Sequence, residues 1–247
     1  LIAIPTTAGS GSEATDFAVA YIDKNKYSLA SKFLLPNLVV LDASLIASNS
    51  KYQKACNGLD ALAQAIESTW AFNTSKKSQE ISLSAISLCI ECLPKLVNEK
   101  FNLNIAKKMM HAANLAGQSI RITETTAAHA WSYGFTSTLN IPHGHAVWLT
   151  LPKIFQIHSS PSVLAENEEL KQTIEHIRFC LGMNKSDQPR EFLTKFCSSL
   201  GIDLDFHLIK DCNQENLNLF SKAVNAERMS NNPINFTQQQ INYIFEY

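Results

Sequence analysis

Three residues far apart in the chain are of types that together could hold a divalent metal: Asp60 in NGLDALAQAIES, and His129 and His143 in HAWSYGFTSTLNIPHGHAV. One carboxylate and two imidazoles make a donor set of intermediate hardness that suits Fe(II), Zn(II) and related ions. If the three converge, the chain carries a metal-assisted enzyme site; if they do not, it is a helical domain with scattered histidines. Taken singly, each has a plainer role. Asp60 reads as an acid in the first turn of a helix, favoured by the helix dipole, with Asn57 near the N-cap. A lone histidine after TETTAA or inside IPHGHAV reads as a satisfied core or cap residue. Two histidines at the entrance and exit of one short connector, with an acid on a separate helix, are more specific. Asp60 and Gln64 stand at i, i+4 and project from one helix face, off the apolar stripe of Leu59, Leu62, Ala63 and Ile66. His145 points elsewhere on its helix and is a candidate for an assisting or substrate-facing role. His111, His158, His176 and His207 fit helix surfaces.

Two compositional regions must position these side chains. Residues 1–48 are β-like: LIAIP, a small polar loop TTAGSGSE, FAVAYID, a lysine-marked turn KNKYSL, and NLVVLDASL, with branched and aromatic runs bounded by Gly, Pro, Asn and Asp. Residues 49–247 are helical. Apolar spacing at i, i+3, i+4 and i+7 runs through LDALAQAIESTWAF, SQEISLSAISLCIECLPKLV and NIAKKMMHAANLAGQSIRIT. Further helices are predicted at HAVWLTLPKIFQIH, NEELKQTIEHIRFCLG, PREFLTKFCSSLG, QENLNLFSKAV and TQQQINYIFEY, with Gly182 and Gly201 where C-caps belong. A ligand cleft between the two regions is the expected place for chemistry. The chain opens on Leu1 already inside a strand, which reads as the carboxy-terminal part of a longer protein.

A chain of 247 residues with formal net charge −1 has no basic patch to steer it to nucleic acid and no apolar run long enough to span a bilayer. The six cysteines have no framework spacing. Cys89 and Cys92 form a CxxC inside the apolar run ISLCIECLPKLV, without a second pair to complete a zinc site. Reduced thiols packed in the helices of a cytoplasmic protein are the expectation.

The segments IPTTAGSGSEAT (4–15), KYSL (26–29), LPNLVVLDASL (35–45), NGLDALAQAIES (57–68), LAGQSI (115–120), HAWSYGF (129–135), IPHGHAVWLTLP (141–152) and RMSNNPINFT (228–237) resemble, in order and spacing, the iron-containing alcohol dehydrogenase family. The resemblance implies an α/β remnant plus an all-α unit. Residues 1–48 would be the end of an α/β dinucleotide-binding domain. Residues 49–247 would be the C-terminal helical metal-binding domain of the dehydroquinate synthase-like, iron alcohol dehydrogenase fold. The family's amino-terminal glycine-rich dinucleotide loop has no counterpart here. Asp60, His129 and His143 match three of the family's four metal ligands, and Gln64 stands where the fourth is normally a histidine. Tyr133 takes a position where many members carry another histidine near the nicotinamide. Both departures look like a subgroup that includes phosphonoacetaldehyde reductases and 3-deoxy-octulosonate 8-oxidases.

By this resemblance the metal is Fe2+ or Zn2+ and the cofactor NAD or NADP. The reaction is then a reversible hydride transfer with a primary alcohol or aldehyde, including one that bears a phosphonate or a sugar acid. Tyr133 and His145 are candidates to relay the hydroxyl proton. Thr6, Thr7, Gly9 and Ser10 would touch the dinucleotide, as would Lys26 and Leu45; without the resemblance the loop reads as an ordinary turn between strands. For an anionic substrate a cation should face the cleft. Arg121 is the candidate, though Arg121 and Glu124 also read as a local surface pair. Relatives often form homodimers. The competing functions are a non-redox metal enzyme of the same fold and a catalytically inactive helical module.

Overall fold

The computed structural model describes residues 1–22, 25–224 and 226–247, with the side chains of residues 1–18, 29–224 and 226–247. Two short strand pairs come first. Strand β1 (Ile2–Ala3) lies parallel to β4 (Leu38–Val39), with Ile2 opposite Leu38. Strands β2 (Phe17–Ile22) and β3 (Asn25–Ala30) form an antiparallel hairpin with Phe17 opposite Ala30. The TTAGSGSE loop connects the pairs and closes in a 3-10 turn at Ser12–Ala14.

Helix α1 (Lys51–Trp70) is the element around which the rest is arranged, and every residue from Gly58 to Trp70 is buried. It starts earlier than the placing of Asn57 near the N-cap implies. Ser50 is the cap: its hydroxyl accepts from the Gln53 amide, and the Gln53 side chain accepts from the Ser50 amide. This reciprocal box satisfies two otherwise orphaned donors. Asp60 is therefore an interior residue, and the helix dipole does not explain it. Helices α2 (Lys76–Asn98) and α3 (Leu103–Thr123) pack along α1 and along each other.

The stretch expected to be a connector between the two histidines is itself mostly helix, α4 (Ala127–Leu139), entered through a turn in which Glu124 takes φ +61°. The helix expected over 145–158 is two helices, α5 (His143–Trp148) and α6 (Leu151–His158). Pro152 lies in the first turn of α6, where a missing N–H costs nothing but a continuous helix would lose a hydrogen bond.

Helices α7 (Pro161–Glu166), α8 (Glu168–Leu181), α9 (Pro189–Ser199), α10 (Gln214–Lys222), α11 (Ala226–Ser230) and α12 (Gln238–Ile244) complete the chain. Of these, α7 and α11 are too short to leave a periodic signature. Gly182 and Gly201 take φ +74° and +76°, as C-terminal caps require. Trp131, Trp148, Phe135 and Phe155 are the largest side chains wholly enclosed in the core. The cysteines are unpaired, and burial pushes the Cys89 thiol well up, as befits an inert packed residue. Among the described residues no helix is long and apolar enough to cross a membrane.

Candidate metal centre

Asp60, His129 and His143 meet. His129 Nε2 stands 3.4 Å and His143 Nε2 3.9 Å from Asp60 Oδ1, and one donor atom from each residue lies within 4.8 Å of the others. Two donors on one Fe or Zn ion are no more than about 4.4 Å apart, given bonds near 2.0–2.2 Å, so both measured separations fit. Asp60 projects from the middle of α1, His129 from the first turn of α4, and His143 opens α5.

Two contacts bring α5 flush against α1. A Cβ on Gly144 would stand 1.9 Å from the Cys56 carbonyl oxygen and 3.1 Å from the Asp60 Cβ, so only glycine permits this approach. One turn on, the Trp148 indole N–H donates to the Leu59 carbonyl at 2.7 Å. His143 is thus held beside Asp60 while its own side chain stays 39% exposed, leaving the centre open on that side.

A fourth acidic or imidazole group completes the geometry and was not singled out from the sequence. Glu67, completely buried, accepts from the Thr126 hydroxyl at 2.7 Å and the Ala128 amide at 2.8 Å, and its second oxygen meets His129 Nδ1. With Nδ1 turned to a carboxylate, Nε2 is the nitrogen left facing Asp60. The available signal was its place two turns after Asp60 on the same helix face.

Burial works against ionising all three groups, but the pairings outweigh it. Burial raises Asp60; the hydrogen bond from His129, the charges of His143 and His129, and the Gln64 amide bring it below the usual carboxylate range. Glu67 is likewise held low despite burial, by the His129 charge and its hydrogen bonds. Burial would depress His129, and the flanking Glu67 and Asp60 carboxylates raise it instead. Two enclosed carboxylates around one imidazole make a place that favours positive charge.

Gln64 is 5% exposed, and its Oε1 is buried with no hydrogen-bond donor. An unmet buried carbonyl costs about 1–3 kcal/mol. It lies one turn beyond Asp60 with its amide helping hold that carboxylate, so an oxygen acceptor is in place where a cation would satisfy it. Two imidazole nitrogens, a carboxylate and an amide oxygen fit Fe2+ or Zn2+.

The remaining candidates fall around this cluster. The Tyr133 ring lies nearly parallel to the His143 ring, 6.5 Å between centroids. His145 is engaged at both nitrogens, Nδ1 with the Tyr52 hydroxyl at 3.0 Å and Nε2 with the Asp203 carbonyl at 2.7 Å; burial lowers its pKa and pushes Tyr52 up to about 12. The loop of Thr6, Thr7, Gly9 and Ser10 sits against α1 at Asn57, one turn before Asp60: a Cβ on Gly9 would lie 2.8 Å from the Asn57 carbonyl. Asn49 ties the Thr6 carbonyl to the start of α1 at 3.3 Å, just after the 3-10 turn Ala43–Ile46 that carries Leu45. The Lys26 side chain lies outside the described residues.

Two expectations are corrected. Arg121 faces Asp16 at 3.6 Å and not Glu124, because the last turn of α3 points back toward the hairpin. His158 is not on a surface. It is fully buried between the Trp70 and Phe236 rings, accepts from Asn232 Nδ2 at 3.2 Å, and burial pushes its pKa down to about 3. His111, His176 and His207 are exposed.

Residues 54–247 match the C-terminal part of the Fe-containing alcohol dehydrogenase family, and residues 1–43 match the iron-containing alcohol dehydrogenase description. The chain belongs to the iron-containing alcohol dehydrogenase family. It is 33% identical over 165 residues to a phosphonoacetaldehyde reductase of Streptomyces viridochromogenes, covering 66% of this chain and 42% of that protein. It is 34% identical over 160 residues to the probable alcohol dehydrogenase EutG of Escherichia coli, covering 64% and 40% respectively. The chain therefore spans about two fifths of these curated relatives. The structure superposes on sulfoacetaldehyde reductase from Bifidobacterium kashiwanohense, solved with NAD+, with a TM-score of 0.88 at 26% identity, over 100% of this chain and 64% of that one. Helices from α1 onward form the C-terminal helical unit of the iron-containing alcohol dehydrogenase fold.

Proposed function

We propose that the protein is a metal-dependent oxidoreductase that moves a hydride between NAD(P) and a primary alcohol or aldehyde. Its substrates would include aldehydes carrying a phosphonate, a sulfonate or a sugar acid, the first two as in the names of its relatives. The observation that carries the reading is the meeting of Asp60, His129 and His143 beside the unmet Gln64 oxygen. When bound, Fe2+ or Zn2+ supplies Lewis acidity to the substrate oxygen and the nicotinamide accepts or gives the hydride.

The chain's own residues do the rest. Asp60, Gln64, His129 and His143 provide the donors, and Glu67 fixes which His129 nitrogen faces inward. The half-exposed His143 side leaves room for a substrate to enter, and Tyr133 beside it is placed to hold or pass the hydroxyl proton, since a phenol both donates and accepts. Thr6, Thr7, Gly9 and Ser10, with Lys26 and Leu45, would seat the dinucleotide. The backbone of Thr6 and Gly9 lies against the start of α1, so cofactor and metal would be carried by one helix. In this reading residues 1–48 end a dinucleotide-binding unit and 49–247 form the metal-binding unit, and the protein works as a homodimer.

The test is spectrophotometric. Metal-loaded protein with NADH or NADPH and short aldehydes should lose nicotinamide absorbance, and Asp60→Asn should abolish the loss. Metal retained without any absorbance change would favour a non-redox enzyme of the same fold; no metal retained would favour an inactive module.

A further inference from the structure

We infer that Trp70 and Thr126 are positioning residues for the metal ligand His129, acting on it through Glu67 by a hydrogen-bond chain whose direction the indole fixes. That the ring serves an ion rests on the metal-dependent reading above; that the chain orients the ring does not. At the entrance of α4, Thr126 occupies the N-cap position, where a threonine hydroxyl ordinarily accepts from the amide two or three residues on. Its side chain makes no such bond. Glu67 Oε1, reaching across from α1, takes those amides instead, Ala128 at 2.8 Å and His129 at 3.4 Å.

Trp70 is what diverts the hydroxyl. Its indole N–H donates to Thr126 Oγ1 at 3.0 Å, and an indole nitrogen can only donate. The hydroxyl oxygen therefore accepts from Trp70, and its single hydrogen goes to Glu67 Oε1 at 2.7 Å. Oε1 is occupied by donors from Thr126 and the start of α4, and Oε2 is left to accept from His129 Nδ1. The first two links cannot reverse while the indole stays in place.

The indole is held there by rings on two sides. Phe155 meets it edge-on at 5.4 Å between centroids and His158 at 4.7 Å. Trp70 is buried, and Thr126 and Glu67 have no solvent exposure, so water does not compete for any of these bonds. Asp60, Glu67 and Trp70 all belong to α1. One helix thus supplies one ligand directly and orients another from behind.

Without the indole N–H, the Thr126 hydroxyl is free to return to the ordinary capping role and accept from the amides that Glu67 now holds. The carboxylate then loses a donor and gains a competitor, and its grip on His129 Nδ1 loosens.

The experiment follows the His129 Nδ1–H proton by NMR in the metal-free and zinc-loaded proteins, for the parent, Trp70→Phe, Thr126→Val and Thr126→Ser. The signal is assigned by its absence in His129→Asn. Against the Glu67 carboxylate this proton should resonate far downfield in the parent. It should move upfield in Trp70→Phe and Thr126→Val, and return in Thr126→Ser, which keeps the hydroxyl. Zinc affinity by calorimetric titration should fall about tenfold in the first two variants and recover in the serine variant. A signal unmoved, or a zinc affinity unchanged, in both Trp70→Phe and Thr126→Val overturns the assignment, whatever either substitution does to stability, and leaves the two residues as packing groups. If Trp70→Phe does not fold, Thr126→Val, close to the parent in shape, decides alone. If the parent retains no zinc, the metal reading fails. A signal displaced in the metal-free variants still supports the chain in that case, and an unmoved one still overturns it.

Discussion

The carboxylate of Glu67, with no solvent exposure, meets Nδ1 of His129 and leaves Nε2 of the same ring 3.4 Å from the Asp60 carboxylate. The imidazole is held between two helices, with α1 supplying both carboxylates and α4 the ring. Its orientation is fixed before anything binds, because the Thr126 hydroxyl and the Ala128 amide both donate to Glu67 Oε1 and hold that carboxylate in turn. Pre-orientation of this kind raises the basicity of the inward nitrogen and removes the cost of freezing the ring on binding.

Glu67→Gln should therefore weaken divalent-metal binding by about 10- to 100-fold, measured by calorimetric titration of Zn2+ into metal-free protein. Glu67→Asp, which keeps the charge on a shorter arm, should lose less. Equal affinity in all three proteins would make Glu67 a helix-joining group and no more.

Gln64→His replaces an amide oxygen with an imidazole at the same helix position. Imidazole is the stronger donor for Fe2+ and Zn2+, so the variant should surrender its metal to a chelator more slowly than the parent. Unchanged retention would take Gln64 out of the ligand set and leave its unmet oxygen without explanation.

Gly144→Ala would place a methyl group 1.9 Å from the Cys56 carbonyl. Helix α5 would have to lift from α1, costing roughly 1–3 kcal/mol and drawing His143 away from Asp60. Denaturant unfolding and metal titration should both report the change, whereas a variant as stable and as metal-avid as the parent would show that the close approach does not position His143.

The buried His158 gives the stability a definite pH dependence. Its pKa falls from 6.5 to about 3 on folding because burial penalises the charged ring. Between those values the unfolded chain binds a proton that the folded chain does not, so stability rises with pH across that window. It declines as pH drops below 6.5, by roughly 2 kcal/mol at pH 5. Urea unfolding between pH 7 and 4.5 should show this slope and His158→Leu should flatten it; a slope that persists in the variant belongs to other groups.

The sequence made the ligand types legible because Asp60, His129 and His143 sit in segments with strong local character, and the Asp60–Gln64 pair follows from helix period alone. The Ser50–Gln53 capping box was equally readable, but the apolar run beginning near Leu59 drew the helix start toward Asn57. Helix α4 was obscured because TTAAHAWSYGFTSTL mixes hydroxyls, aromatics and Gly134 without a clean stripe. Its burial comes from several neighbours at once. Glu67 could not be assigned from spacing, since it works across a contact between remote segments, α1 to the start of α4. His158 looked like a surface residue because its enclosure depends on Phe236 and Asn232, far along the chain.

X-ray absorption at the zinc K edge of the zinc-loaded protein reports directly whether Asp60, His129 and His143 share one ion. The spectrum should show only nitrogen and oxygen neighbours at about 2.0–2.2 Å, with outer-shell scattering from two imidazoles, and that pattern should be lost in Asp60→Ala. A sulfur neighbour near 2.3 Å, or a spectrum that Asp60→Ala leaves unaltered, would place the metal elsewhere and contradict the shared site.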